Sequence, residues 1–127
     1  MVSLLAVLRH EEGVRLNPDP LVALYSELGE SGAERVICRA MEELAARLSD
    51  MMRHADEGGS DALVRSARLL GKVADQIGMA TLAQVAMDVV RTTEAGDLTS
   101  QAATLARLVR IGDRSLTAVW DLHDMTI

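Results

Sequence analysis

Three imidazoles are the first groups to weigh for chemistry. The chain carries His10, His54 and His123, and a histidine can ligate a metal, move a proton or accept a phosphoryl group. None stands in a pattern that selects one of these roles. His10 is followed directly by Glu11 and Glu12, and consecutive helix residues do not converge on one ion. His54, in MMRHADEGG, and His123, near the C-terminus, fall at helix ends, where a cation is favoured by the helix dipole. Cys38 is the single cysteine, so no internal disulfide forms, which fits a reducing cytoplasm. No nucleophile, base and acid combine, and no glycine-rich loop is present to cradle phosphate. The expectation is a chain without metal, cofactor or covalent catalysis. A phosphotransfer protein acting through an atypical histidine such as His54 is the enzymatic alternative.

The remaining chemistry is cationic. Arg65, Arg68 and Lys72 recur at intervals of three and four in the stretch ALVRSARLLGKVADQIGM, residues 62–79, so on a helix they share one face. With Val64, Gly71 and Asp75 they make a candidate partner-binding surface, suited to an acidic partner; the competing reading is an ordinary solvated face. Arg107, Arg110 and Arg114 form a second basic row, for which the solvated reading is preferred. Gly71 is the odd residue of the set, because glycine inside a helix costs about 1 kcal/mol relative to alanine. It either keeps the surface low beside Arg68 for an approaching backbone, or sits at a close helix crossing. Gly112 recurs in a later helix with no motif around it.

Helices must position these residues. After SLLAVLRHEE and the NPDP turn of residues 17–20, Asp19 is the expected cap with Pro20 at the first helical position, and LVALYSEL runs to Gly29. Ser31 to Glu34 has the capping-box pattern and opens a long helix to about Ala55, striped by Ile37, Met41, Leu44, Leu48 and Met51. EGGS interrupts the chain, and Ser60 or Asp61 caps the basic helix, which Gly78 ends. On that helix Leu63, Ala67, Leu70, Ala74 and Ile77, with Ser66 and Val73, form the inward face opposite Arg65, Arg68, Lys72 and Asp75. Leu82, Val85, Ala86, Val89 and Val90 stripe the next helix as far as Gly96. The last starts after Asp97 or Thr99 and carries Leu105, Leu108, Val109, Leu116 and Val119 to about His123. No stretch alternates with period two, so no strand is expected. Residues 1–18 read as an N-terminal helical segment and turn, and 19–127 as one all-α antiparallel up-down four-helix bundle.

Composition narrows the partners. With 127 residues the chain supports one domain. It is 49% hydrophobic yet has no Phe, one Trp and one Tyr, so the core must be built from Leu, Val, Ala, Met and Ile. Met41, Met51, Met52, Met79 and Met87 are expected to fill it. A net charge of −6 opposes nucleic acid, and the short apolar runs and unsuitable N-terminus argue against a membrane span or a signal peptide. The apolar excess is compatible with a homodimer, with SLLAVL as its seam, which is also the purely structural alternative for the chain's role.

The run DALVRSARLLGKVADQIGMATL, residues 61–82, resembles the central helix and following turn of histidine-containing phosphotransfer domains, four-helix bundles that relay phosphoryl groups to response-regulator receivers. The family's pattern is an alanine, the phosphorylated histidine, any residue, leucine, lysine and glycine, then an apolar-Gly pair with a leucine four residues beyond its glycine. Registered on Leu63, Ile77, Gly78 and Leu82, this chain has Ala67 at the alanine, Arg68 at the histidine and Leu70 at the leucine, with Gly71 and Lys72 where the family has lysine and glycine. A register fixed on Gly71 instead places Ala67 at the histidine. Neither supplies an imidazole, and a guanidinium cannot accept and pass on a phosphoryl group in its place. The resemblance extends over residues 19–122. It implies a bundle that docks a receiver domain or a histidine kinase in two-component signalling without carrying a phosphoryl group.

Overall fold

The computed structural model describes the backbone of residues 14–126 and the side chains of 14–118 and 121. The expected dimer seam and His10 lie outside the described residues, as does the side chain of His123. Four helices follow one another: α1 (Pro18–Asp56), α2 (Ser60–Gln76), α3 (Ala80–Glu94) and α4 (Leu98–Thr126). Among the described residues there is no strand, and no helix is long and apolar enough to cross a membrane.

The helix boundaries show which local rules win. α1 begins two residues earlier than the Asp19–Pro20 pair suggests: Asn17 is the cap, its side chain accepting from the Asp19 N–H at 3.1 Å, with Pro18 in the first turn. Both Asn-Pro and Asp-Pro satisfy the capping rule, and the earlier pair prevails because Asn17 is itself pinned, its N–H donating to the Gly78 carbonyl at 2.6 Å. Pro20 then falls in the first turn, where a missing N–H costs nothing. The break near residue 30 is real but sharper than a separate capping box at Ser31. Gly29 leaves helical geometry (φ 73°, ψ 176°), so α1 is two helical stretches joined at a kink where the sequence places the break, in a conformation open to glycine and strained for other residues. α2 and α3 have no side-chain cap; the Gly59 and Met79 backbones stand at the N-cap positions, rather than Ser60 or Asp61. α4 runs past His123 to Thr126.

Each helix packs chiefly on its sequence neighbours, and α1 meets α4 only lightly. The inward face expected for α2 is buried throughout, Val73 partly so, and all five expected α3 positions are buried. On α1, Ile37, Met41, Leu44 and Met51 are buried and Leu48 is partly so. Two expectations need correction. Met52 is an exposed side chain rather than core filler, because it follows Met51 and therefore points about 100° away from the core stripe. On α4 the core is formed by Leu105, Leu108, Ile111, Ser115 and Ala118, whereas Val109 is only partly buried and Leu116 packs at the core edge.

Candidate functional site

α2 positions the cationic face. Its small inward residues Ala67, Gly71 and Ala74 are buried, which brings α3 close and leaves the long side chains on the outer side. Arg65, Arg68, Lys72 and Asp75 are all exposed there, and Val64 is half-buried at the edge, packed on the core. Of the two positions weighed for the family's histidine, Ala67 is fully buried while Arg68 projects to solvent, with half its side chain exposed.

Gly71 does not belong to the exposed face. It is buried, and a Cβ built on it would lie 3.7 Å from the Ala83 carbonyl oxygen and 3.7 Å from the Ala86 Cβ. The expected partner-facing glycine is therefore corrected to a residue of the α2–α3 crossing. The reason is angular. Gly71 lies one residue past Leu70 and four past Ala67, inside the flank that α3 covers. Gly112 has a similar setting, since a Cβ there would come within 2.8 Å of a Leu48 methyl on α1.

Arg68 is not a free charge. Its guanidinium donates to the Glu94 carboxylate at 3.1 Å, across from α2 to the last turn of α3. Both side chains are about half exposed, so the pair contributes little stability but determines which anion the arginine meets first. Glu94 was not anticipated. Its spacing, seven and eleven residues beyond Met87 and Ala83, puts it on their flank of α3, but that this flank faces α2 is a tertiary fact the spacing does not carry. Arg65 and Lys72 have no ion pair among the described residues.

The other charged candidates lie elsewhere. Arg107 pairs with Asp88 of α3 at 3.7 Å, and Asp88 also holds Arg91; Arg110 and Arg114 are exposed. His54, partly buried, occupies the last turn of α1, where its carbonyl accepts from the Gly59 N–H at the start of α2. It is not gathered with Arg68, which stands midway along α2. No group of three or more His, Cys, Asp or Glu among the described residues could hold a metal ion.

The geometry defines an all-α four-helix protein with an exposed cationic face on α2. Comparison with known proteins finds no matching family model, curated protein or solved structure.

Proposed function

We propose that this chain is a phosphotransfer-like docking module of two-component signalling, an up-down bundle that binds an acidic receiver domain or a histidine kinase in the cytoplasm without carrying a phosphoryl group. The observation that supports the reading most is Arg68. It occupies the exposed mid-helix position matched to the family's histidine, flanked by Arg65 and Lys72, above a buried Ala67–Leu70–Ala74 face. A receiver's phosphorylation pocket is a cluster of carboxylates around a divalent ion, and a cationic helix face would dock over it and shield it.

Glu94 gives the proposal a specific form. An acidic partner must displace this carboxylate from Arg68, so Glu94→Gln strengthens binding whereas Arg68→Glu weakens it. The experiment is incubation with a phosphorylated receiver, identified by capture from the native cell, followed by titration. The expected outcome is no acid-labile phosphate on this chain, binding that weakens as salt rises, and a larger loss from Arg68→Glu than from Arg110→Glu at equal charge change. Arg68→His alone does not restore relay, because Lys72 fills the place the family leaves to glycine. Phosphohistidine on the unaltered protein, or equal losses from the two reversals, overturns the reading.

A further inference from the structure

On the opposite flank of α2 from Glu94, an open groove of about 500 Å³ runs between α1 and the C-terminal half of α2. Leu28, Val36, Ala40 and Val73 supply its apolar surface, and Leu28 and Val36 are 49% and 39% exposed, far more than core residues of their size. The Gly29 kink lies between Leu28 and the rest of the α1 wall. Arg35 and Arg39, one turn apart on α1, also line the groove and have no ion pair among the described residues. The acidic wall residue, Glu43, is already engaged by Arg47 at 3.9 Å. On a chain of net charge −6, this is an apolar strip with a local positive rim.

We infer that this groove docks an acidic amphipathic helix of a partner protein, leucine-sized side chains seated against Leu28, Val36 and Val73 and carboxylates one turn apart meeting Arg35 and Arg39. Residues 32–43 of the α1 wall span roughly 16 Å at 1.5 Å per residue, about three turns of a docked helix, the length over which anchors at i, i+3 or i+4, and i+7 engage a groove. The occupant is chosen by the local charge of the rim: Arg35 and Arg39 line the groove without an ion pair among the described residues, and carboxylates on the docked helix complement them. The groove shares no lining residue with the Arg65, Arg68 and Lys72 face, although Val73 and Gln76 adjoin Lys72, and the inference does not require that face to bind a receiver.

The test uses the full chain and a fluorescein-labelled peptide about four helical turns long, with leucine at i, i+3 and i+7 and glutamate flanking the stripe, titrated by anisotropy beside the same peptide with lysine for glutamate. The glutamate peptide should bind, and the lysine peptide should bind at least about tenfold more weakly. Arg35→Glu and Arg39→Glu, exposed substitutions checked for retained helicity by circular dichroism, should each weaken the glutamate peptide about fivefold or more, while Arg110→Glu leaves it within about twofold. Val36→Asp should abolish binding without changing the protein's mass in solution. Equal binding of the two peptides, indifference to the Arg35 and Arg39 reversals, or no binding overturns the inference. So does a fall in solution mass on Val36→Asp, which would make a second copy the occupant. A gain in peptide affinity on Leu5→Asp would make the chain's own N-terminal segment the occupant, and overturns it equally.

Discussion

The two faces of α3 are built by opposite means. Toward α2 it sets Ala83 and Ala86 against Gly71, small buried residues that let the two backbones approach. Toward α4, whose Leu105, Leu108 and Ile111 enter the common core, it adds a polar ladder: the Thr92 and Thr104 hydroxyls are 3.1 Å apart, the Gln101 amide donates to the Thr93 hydroxyl at 3.1 Å, and Asp88 reaches Arg107 at 3.7 Å. The turns differ in the same sense. The α2–α3 turn is held by backbone, with residues 14–17 laid across it: the Arg15 N–H donates to the Thr81 hydroxyl at 2.6 Å, the Thr81 N–H to the Arg15 carbonyl at 3.3 Å, and Val14 and Leu16 are buried. The α3–α4 turn has no such strap: beside its own backbone bonds, among them the Asp97 N–H to the Thr92 carbonyl at 3.3 Å, its side-chain cap is the Asp97 carboxylate. A seam of close backbones has no slack, whereas a seam of side-chain hydrogen bonds can lose one member and keep the rest.

The largest effect expected from this difference is at Gly78. Its φ is +78°, and a Cβ there would stand 2.0 Å from the Asn17 carbonyl oxygen, a backbone atom that cannot move aside without breaking the strap. Gly78→Val should destabilise the protein by about 3 kcal/mol or more, read as a fall in the urea midpoint. Gly71 comes next and separates packing from propensity. Its hypothetical Cβ makes ordinary contacts at 3.7 Å, so Gly71→Ala should stabilise by about 0.5–1 kcal/mol through helix propensity. Gly71→Leu should destabilise by about 1–3 kcal/mol because the crossing has no room for the branches. If the leucine were tolerated as well as the alanine, the tight seam would not exist.

The inward stripes of α2 and α3 were legible in the sequence because burial imposes a period that apolar residues follow: Leu63, Ala67, Leu70, Ala74 and Ile77 keep it, while Leu69, off the stripe, is exposed. The exposed cationic face is the complement of that stripe and came with it. What escaped depends on which helix lies beside which flank. Gly71 could be placed on a surface or in a crossing with equal consistency until α3 was seen to cover its side. The pairing of Arg68 with Glu94 joins residues 26 apart, and periodicity gives the angle of each side chain about its own axis but not the axis it faces. The caps failed for a related reason: NPDP offers two capping pairs, and the choice is made by the bond from Asn17 to Gly78, which no local rule contains.

The polar seam should respond more mildly. The Thr92 hydroxyl also bonds back to the Asp88 and Val89 carbonyls, and the Thr104 hydroxyl to the Gln101 carbonyl, so neither is stranded when the other is removed. Thr104→Val is expected to cost about 0.5–1 kcal/mol, and the cycle with Thr92→Val to show a coupling below about 1 kcal/mol. A coupling several times larger would mean that this seam is as unforgiving as its neighbour and that the contrast fails.

The smallest effect belongs to the carboxylate at the turn, and it is visible only through its pH dependence. Asp97 Oδ1 accepts from the Ser100 N–H at 3.0 Å and Oδ2 from the Ser100 hydroxyl at 2.7 Å, and these bonds, the backbone one foremost, hold its carboxyl below the usual aspartate value of 3.8. A carboxylate with a depressed value in the folded state favours folding fully above 3.8, and that contribution is lost as pH falls through the lowered value. Asp97 is fully exposed, so solvent screening keeps the contribution small. Other carboxylates titrate in the same range, so the measurement is the difference in stability between the protein and Asp97→Asn, which retains one acceptor for the cap but has no charge to lose. That difference should favour the unaltered protein at neutral pH, hold steady down to about pH 5, and shrink as acid protonates Asp97 in both folded and unfolded chains. A difference that stayed constant into strong acid would show that the α3–α4 turn does not depend on the charge of this side chain, leaving only neutral hydrogen bonds to Ser100 as the contribution of Asp97.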